Sequence, residues 1–412
     1  MRIAFVHSNN TDIGGSDTVM LRIVRACRDA GHETLVVLSV PGTMAEKYER
    51  EGVAVALVPL PRVTRSKNPL AHAVWCWRTL TATVALVRLF RRSSAEIIVA
   101  NDYNELPAAL AGWLCGIPRL TVLRFLFTAS GLVRKTYIGL IAFFNQRVIC
   151  VSEAVLAHNF RGLPRRLCDK ATVLYDWYDP EPSSRHELEI SVTNPFARFG
   201  IAAGARVLLM PSRVEPWKGQ HVLIEALPMI FAQCDDCVAL FVGSSVRGRG
   251  REAYAEGLRE RASELGVLDR VFFAGHVEDV EVLMRHSAVV LHCSVTPEPF
   301  GMTILEAMAS GTPVVAAGAG GPVEILGESA GLLLHRPGDV VDLAVQTLKV
   351  LSDADFSSAL SEAGRVRSQV FSRRVCWPRF ESVFESLVAG RERPTVEAAL
   401  DKVPCRFSVE EP

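Results

Sequence analysis

Glu298 and Glu306 stand eight positions apart in "VTPEPFGMTILEAMASGTPVV", residues 295 to 315, on either side of a Phe-Gly pair. "HCSVTPEPFG" reads as a strand end and loop, and "MTILEAMASG" as a helix that Gly311 is placed to stop, with Pro313 beyond. Glu298 then lies at the carboxyl end of a strand and Glu306 within the first two helical turns. The amides of Phe300 and Gly301 between them face the place where a phosphate would sit, because a helix start favours an anion. One carboxylate could accept hydrogen bonds from hydroxyls on one side of that phosphate, and the other from hydroxyls on the opposite side. A sugar and a ribose flanking a diphosphate need that arrangement. Taken singly, either glutamate reads more simply as a cap or an exposed helical side chain.

Positive charge for such a ligand is available in "VLLMPSRVEPWKGQHVLIEAL", where Arg213 and Lys218 fall on a strand-to-helix loop. A forked guanidinium and a compact ammonium could neutralise a diphosphate there. A solvated loop is the plain alternative; Trp217 and Gly219 beside the lysine favour a shaped one. Gly14-Gly15 in "NTDIGGSDTVMLRIV" makes a turn after the first strand that lets backbone amides approach an anion. An ordinary tight turn would look the same. The turn is not the G-x-G-x-x-G dinucleotide fingerprint, which weakens a dehydrogenase reading.

The elements that must position these residues alternate throughout the chain. "RIAFVHS", "ETLVVLSV", "VAVALVPL", "EIIVAND", "RLTVLRF", "RVICVSE" and "ATVLYD" read as strands of a first half. "VLLMPSRV", "VALFVGSS", "VFFAGHV", "AVVLHCS", "TPVVAAG" and "GLLLHR" read as strands of a second. Amphipathic segments between them predict an α/β fold with two parallel sheets wrapped by helices. The length of 412 residues fits two domains. A Pro-, Ser- and Gly-rich stretch places the boundary near residues 180 to 203, and the composition after about residue 391 is that of a polar tail. In such sheets ligands bind beyond the carboxyl ends of the strands, so two domains would hold a substrate in the cleft between them.

Forty-five basic and 45 acidic residues cancel, which argues against a nucleic-acid partner. The N-terminus "MRIAFVHSNN" reads as a strand rather than a signal peptide, and ten scattered cysteines show no disulfide framework, so the expected location is the cytosol. Cys234 and Cys237 form a C-x-x-C without a second pair, a poor zinc site, and no metal is expected. No stretch reads as a transmembrane helix. Two basic apolar segments, "AVWCWRTLTATVALVRLFRR" and "VRKTYIGLIAFFNQR", read first as helices packed on a sheet. In the first, helical spacing sets Arg78, Arg88 and Arg92 on one face and Leu80, Val87 and Phe90 on another. Either segment could instead lie in an anionic membrane surface, which would place the protein at the inner face of the membrane.

The ordered set of the Gly-Gly turn, "VICVSEAV", "SRVEPWKG", "AGHVEDV", the Glu-x7-Glu stretch "EPFGMTILE" and "AGAGGPVEIL" resembles the family 4 retaining glycosyltransferases of the glycosyltransferase-B fold. The resemblance covers nearly the whole chain to about residue 390 and is strongest from 206 to 335. It implies two Rossmann-like parallel-sheet domains facing a central cleft. Residues 1–185 would form an acceptor-binding domain and 204–372 a nucleotide-sugar donor domain. Residues 373–390 would be a closing helix that crosses back to the first domain, and 391–412 the tail. It implies that Glu298 holds hydroxyls of the donor sugar and Glu306 those of the ribose. Arg213 and Lys218 would grip the diphosphate and stabilise the leaving group, Gly15 would approach the phosphate, and backbone around Val277 would meet the base. The first domain departs from the family pattern. "RLTVLRFLFT" lacks the histidine many members carry there, leaving Arg124 as the nearest polar candidate on the acceptor side, and "YDWYD" stands where the family has "NG-D".

The expected reaction is metal-independent transfer of a sugar from a nucleotide-diphosphate sugar to a hydroxyl of a glycan, glycolipid or lipid-linked acceptor, with the anomeric configuration retained. No cofactor beyond that donor substrate is expected. The competing readings are a nucleotide-sugar epimerase or phosphorylase, an inactive nucleotide-sugar-binding protein and, least favoured, a dehydrogenase.

Overall fold

The computed structural model describes residues 1–8, 14–63, 68–129, 131–180, 194–244, 251–327 and 333–390. Most of the loop before Gly14, most of the stretch assigned to the boundary and the tail from 391 lie outside the described residues. Thirteen strands fall in the segments the sequence singled out: β1 Arg2–His7, β2 Glu33–Leu38, β3 Ala54–Leu57, β4 Ile97–Ala100, β5 Arg119–Leu123, β6 Arg147–Cys150, β7 Ala171–Val173, β8 Arg206–Pro211, β9 Cys237–Val242, β10 Val271–Gly275, β11 Val289–His292, β12 Val314–Ala317 and β13 Leu333–His335.

All pairings between these strands are parallel, in two sheets of order β3-β2-β1-β4-β5-β6-β7 and β10-β9-β8-β11-β12-β13. Strands such as β4 "IIVA" and β12 "VVAA" are buried at every position. They read as continuous apolar runs because helices cover both faces of a parallel sheet. The strand order reverses between β1 and β4 in the first sheet and between β8 and β11 in the second. Connections leave such neighbouring strands in opposite directions, and a crevice opens between them.

Two close backbone approaches shape the second crevice. Gly219, at φ 76°, follows Lys218 on the loop after β8, and a Cβ there would come within 1.9 Å of the Cys293 carbonyl oxygen just past β11. Gly321 begins the helix Gly321–Leu326, and a Cβ on it would come within 2.4 Å of the Phe300 Cα. These glycines let the loops after β8 and β12 press against the segment that carries Glu298.

The helix Arg373–Val388 returns to the first domain. Its Trp377 and Phe380 meet Trp177 at ring-centroid distances of 6.2 and 5.5 Å, and Arg373 pairs with Asp29 at 2.7 Å. Trp177 belongs to "YDWYD", so that segment acts as an aromatic anchor for the crossing helix.

The segment "AVWCWRTLTATVALVRLFRR" folds differently from its sequence reading. It lies in the helix Pro69–Ser93, whose packed face is Thr79, Ala82, Thr83, Leu86 and Phe90, while Leu80 points to solvent. Small residues at 79, 82 and 83 allow close packing on the helix Leu106–Cys115, and this selects the buried face over the larger leucine. By length and composition this helix is also long and apolar enough to cross a membrane, a property the sequence reading did not assign.

Replacing Gly219 with Ala combines a positive φ with a clash against backbone that cannot move aside. Chemical denaturation of Gly219→Ala is expected to show a loss of about 2–4 kcal/mol from the second domain.

Candidate active site

Glu298 follows β11 on a loop held by backbone: its amide donates to the Ala319 carbonyl at 3.1 Å, and its carbonyl accepts from the Gly321 amide at 2.8 Å. Its carboxylate oxygen Oε2 collects three groups. Lys218 Nζ donates at 2.7 Å, Ser294 Oγ donates at 2.9 Å, and His292 Nε2 lies at 3.3 Å. Oε1 takes no part in that cluster. Burial pushes the Glu298 carboxyl up, but the Lys218 ammonium, followed by the contact with His292, more than offsets it and holds the group well below the usual carboxylate range. Lys218 also stacks over the Trp217 ring, 4.1 Å from its centroid. The shaped loop expected around Trp217 and Gly219 is therefore what delivers the ammonium to the carboxylate.

Arg213, on the same loop, is 41% exposed in its side chain and lies 3.6 Å from the Glu215 carboxylate. Glu215 in turn accepts a hydrogen bond from the Trp217 indole. The structure thus brings Lys218 and Glu298 together and leaves the Arg213 guanidinium at the surface of the loop.

The turn from Glu298 to Glu306 has the predicted form. Gly301, at φ 115°, caps the helix Met302–Ala309, Ser310 ends it, and Gly311 follows at φ 75°. The Phe300 ring is packed between Tyr175 and Phe371, with centroids 5.9 Å from each. Glu306, in the second turn of the helix, meets Arg22 from the first domain at 3.4 Å. The Arg22 guanidinium lies over the Tyr178 ring at 4.7 Å, and the Tyr178 hydroxyl donates to Glu281 at 2.6 Å. Burial pushes the Glu306 carboxyl up, and Arg22 only partly offsets it.

Contacts from the first domain fix the same turn from the other side. Ser152 caps the helix Glu153–Phe160 and also donates its hydroxyl to the Pro299 carbonyl at 2.6 Å. The Glu324 carboxylate, from the second domain, accepts the first two free amides of that helix, Glu153 N at 2.7 Å and Ala154 N at 2.8 Å. The two sequence motifs "VSEAV" and "AGAGGPVEIL" therefore meet each other.

Gly15 is the first residue of the helix Gly15–Asp29, and a Cβ there would meet nothing within 4 Å, so the backbone is open on that side. Val277 follows β10 and is half-buried. Arg124, just past β5, is buried; it is ion-paired with Asp176 and donates from Nε to Asn101 Oδ1 at 3.0 Å. Asn101 Nδ2 lies 3.3 Å from His7 Nδ1, and His7 Nε2 lies 2.9 Å from Asp17 Oδ1. A buried polar chain thus runs from Arg124 to the helix that Gly15 begins. Beside it, burial and the neighbouring Glu105 push the Asp102 carboxyl well above its usual range.

Sequence reasoning missed His292, Ser294, Arg22, His7 and Asp17. His292 and Ser294 had a readable signal: polar residues two apart at the end of an apolar strand share one face. Arg22 had none, since its partner lies 284 positions away. Among the described residues no group of three or more His, Cys, Asp or Glu side chains is arranged to hold a metal ion.

Residues 13–181 match the family model described as Glycosyltransferase Family 4, and residues 192–367 match that of Glycosyl transferases group 1. The 2-deoxystreptamine glucosyltransferase of Streptomyces kanamyceticus is 27% identical over 84% of this chain and 92% of its own. The GDP-mannose-dependent alpha-(1-6)-phosphatidylinositol monomannoside mannosyltransferase of Mycobacterium tuberculosis is 32% identical over 46% of this chain and 48% of its own. Among solved structures, that of Anabaena Alr3699/HepE in complex with UDP and glucose superimposes with a TM-score of 0.79 at 25% identity, covering 94% of this chain and 100% of that one. With two parallel sheets and both halves matched, the chain belongs to the family 4 glycosyltransferases of the glycosyltransferase-B fold.

Proposed function

We propose that this glycosyltransferase takes its sugar from a nucleoside-diphosphate sugar and passes it, with retention of the anomeric configuration, to a hydroxyl of a glycan, glycolipid or lipid-linked acceptor. The observation that carries the reading is the Glu298 cluster. A low-lying carboxylate has one oxygen bound to Lys218, Ser294 and His292 and leaves the other available to sugar hydroxyls. The complexes of the Anabaena relative with UDP and with UDP-glucose support a donor of this class.

In this reading the diphosphate lies over the amides of Phe300 and Gly301. Lys218 already stands beside the donor sugar position, and Arg213 swings from Glu215 onto the phosphates. These two cations stabilise the departing diphosphate as its charge develops, so transfer proceeds without a divalent ion. The ribose hydroxyls donate to Glu306 in place of the long contact to Arg22, Val277 backbone meets the base, and Gly15 approaches the phosphate from the first domain. The acceptor hydroxyl attacks the face from which the diphosphate leaves. Its proton passes to the departing phosphate oxygen, while the new glycosidic bond replaces the broken sugar–phosphate bond. Arg124 acts on the acceptor side as a positioning residue through Asn101 and His7.

Thermal shift against UDP, GDP, ADP and their sugar conjugates is expected to single out one base. A ligand at about 100 times its Kd adds about 2.7 kcal/mol to stability. No shift with any of them from folded protein would overturn the donor assignment. Glu298→Gln is expected to lower kcat by roughly 10²–10³-fold at little change in nucleotide affinity, and wild-type turnover is expected to persist in EDTA. Full turnover by the variant would remove Glu298 from the reaction.

Nucleotide affinity should also depend on pH. Because burial raises the Glu306 carboxyl, it takes up its proton at higher pH than an ordinary glutamate, while Glu298 stays ionised into more acid solution. Titration calorimetry is expected to show affinity falling as pH is lowered through the Glu306 transition. That component should be absent in Glu306→Gln, which shares the ligand's own phosphate titration. The variant itself should bind about 10- to 100-fold more weakly, the loss of a charged hydrogen-bond acceptor.

A further inference from the structure

We propose that the outer face of the first domain, formed by the helices Pro69–Ser93, Leu106–Cys115 and Gly131–Phe144, docks on an anionic lipid bilayer. The face is apolar where a domain surface facing only water would be mixed. Leu70, Trp77, Leu80, Trp113, Leu132 and Phe143 are each more than half exposed. They form one surface, because ring contacts join the helices: Trp75 to Tyr137 at 6.2 Å between centroids and Trp113 to Phe144 at 5.5 Å. Along Pro69–Ser93 the exposed stripe runs Leu70, Val74, Trp77, Leu80, Val84 at helical spacing and then continues as Arg88, Arg91 and Arg92. The opposite face of the same helix is the one packed in the domain. Its length therefore serves a helix lying in the plane of a surface rather than one crossing it.

Charge identifies the partner. Residues 52–95 and 106–152, which contain all three helices, hold twelve Lys and Arg and not one Asp or Glu, in a chain whose net charge is zero. Arg78, Arg88, Arg91, Arg92 and Lys135 are exposed on these helices. Apolar side chains with tryptophan, rimmed by arginine and lysine, match the acyl boundary and phosphate level of an anionic membrane. A second copy of the chain would set the same unopposed positive charge against itself. The first residues of the helices after β3 and β5 lie at the carboxyl edge of the sheet, so Leu70 and Leu132 mark the end of the face nearest the cleft. A docked molecule opens its cleft beside the bilayer. No residue of the Glu298 cluster takes part, so the inference stands apart from the donor reading.

Flotation of the full chain with vesicles of phosphatidylglycerol and phosphatidylcholine, and with phosphatidylcholine alone, tests it. The protein is expected to float with the anionic vesicles and to be released by added salt. It should remain at the bottom with the neutral ones. Two variants, Trp77→Ser/Leu80→Ser/Phe143→Ser and Arg88→Glu/Arg91→Glu, are each expected to lower the bound fraction by about tenfold. Both should keep the wild-type thermal midpoint and nucleotide response, because they alter exposed side chains outside the cleft; the arginine variant provides a separate readout if the apolar one fails to fold. The proposal is overturned if folded wild-type protein does not float, if it floats equally with neutral vesicles, or if both folded variants float as well as wild type. It is also overturned if sedimentation velocity shows a dimer that the apolar variant disperses, which would assign the face to a second copy.

Discussion

A carboxylate drawn most of the way out of water must have its charge answered, and at Glu298 the answer comes from the neighbouring strand's loop. The 2.7 Å pair with Lys218 is the contact around which the second domain's crevice is arranged. Isolated burial of either charge would cost several kcal/mol, so neither side chain is stable in its place without the other. The pair can form only if the loops after β8 and β11 touch, and they touch because Gly219 has no side chain to hold them apart. Ser294 and His292 then complete the shell of one carboxylate oxygen. The adjacency of β8 and β11, itself a product of the reversed strand order, is thus the geometric condition for the site.

The same turn is also where the two domains meet. Phe300 is held by Tyr175 and Phe371, Pro299 by Ser152, and Glu306 by Arg22. Glu324 reaches across to the free amides of the helix that Ser152 caps, an exchange in which a fixed dipole and a carboxylate satisfy each other. Behind them Phe300, Ile304 and Ile325 belong to one buried apolar cluster that also holds core residues of the first domain such as Phe5 and Ile149. The helix Arg373–Val388 binds the first domain through Trp377, Phe380 and Phe384, which are buried. The chain is therefore joined by a shared apolar cluster that includes the crossing helix, with polar contacts such as Arg22–Glu306 beside it.

Much of the fold was legible because parallel strands covered on both sides are written as short runs of Val, Ile, Leu and Ala, and thirteen such runs became thirteen strands. The failures have an equally physical origin. Helical spacing sets Leu80 with Phe90, yet the packed face of their helix runs through Thr79, Ala82, Thr83, Leu86 and Phe90 and leaves Leu80 in solvent. Small residues at 79, 82 and 83 let the helix approach its neighbour closely, and Leu86 and Phe90 on the same face supply the apolar burial. Arg124, the nearest polar candidate on the acceptor side, has its guanidinium buried against Asp176 and Asn101, partners that spacing along the chain does not announce.

By itself the sequence determined the alternation of strands and helices and the two-part organisation, and it singled out Glu298, Glu306, Arg213 and Lys218 as candidates for chemistry. Spacing of side chains along one strand, loop or helix is a local property and can be read in one dimension. What only the tertiary structure decided was which of them meet. Lys218 finds Glu298 across 80 positions, Glu306 finds Arg22 across 284, and His7 is tied to Arg124 through Asn101. These pairings follow from strand order and domain packing, which set distances between residues that the chain itself keeps far apart.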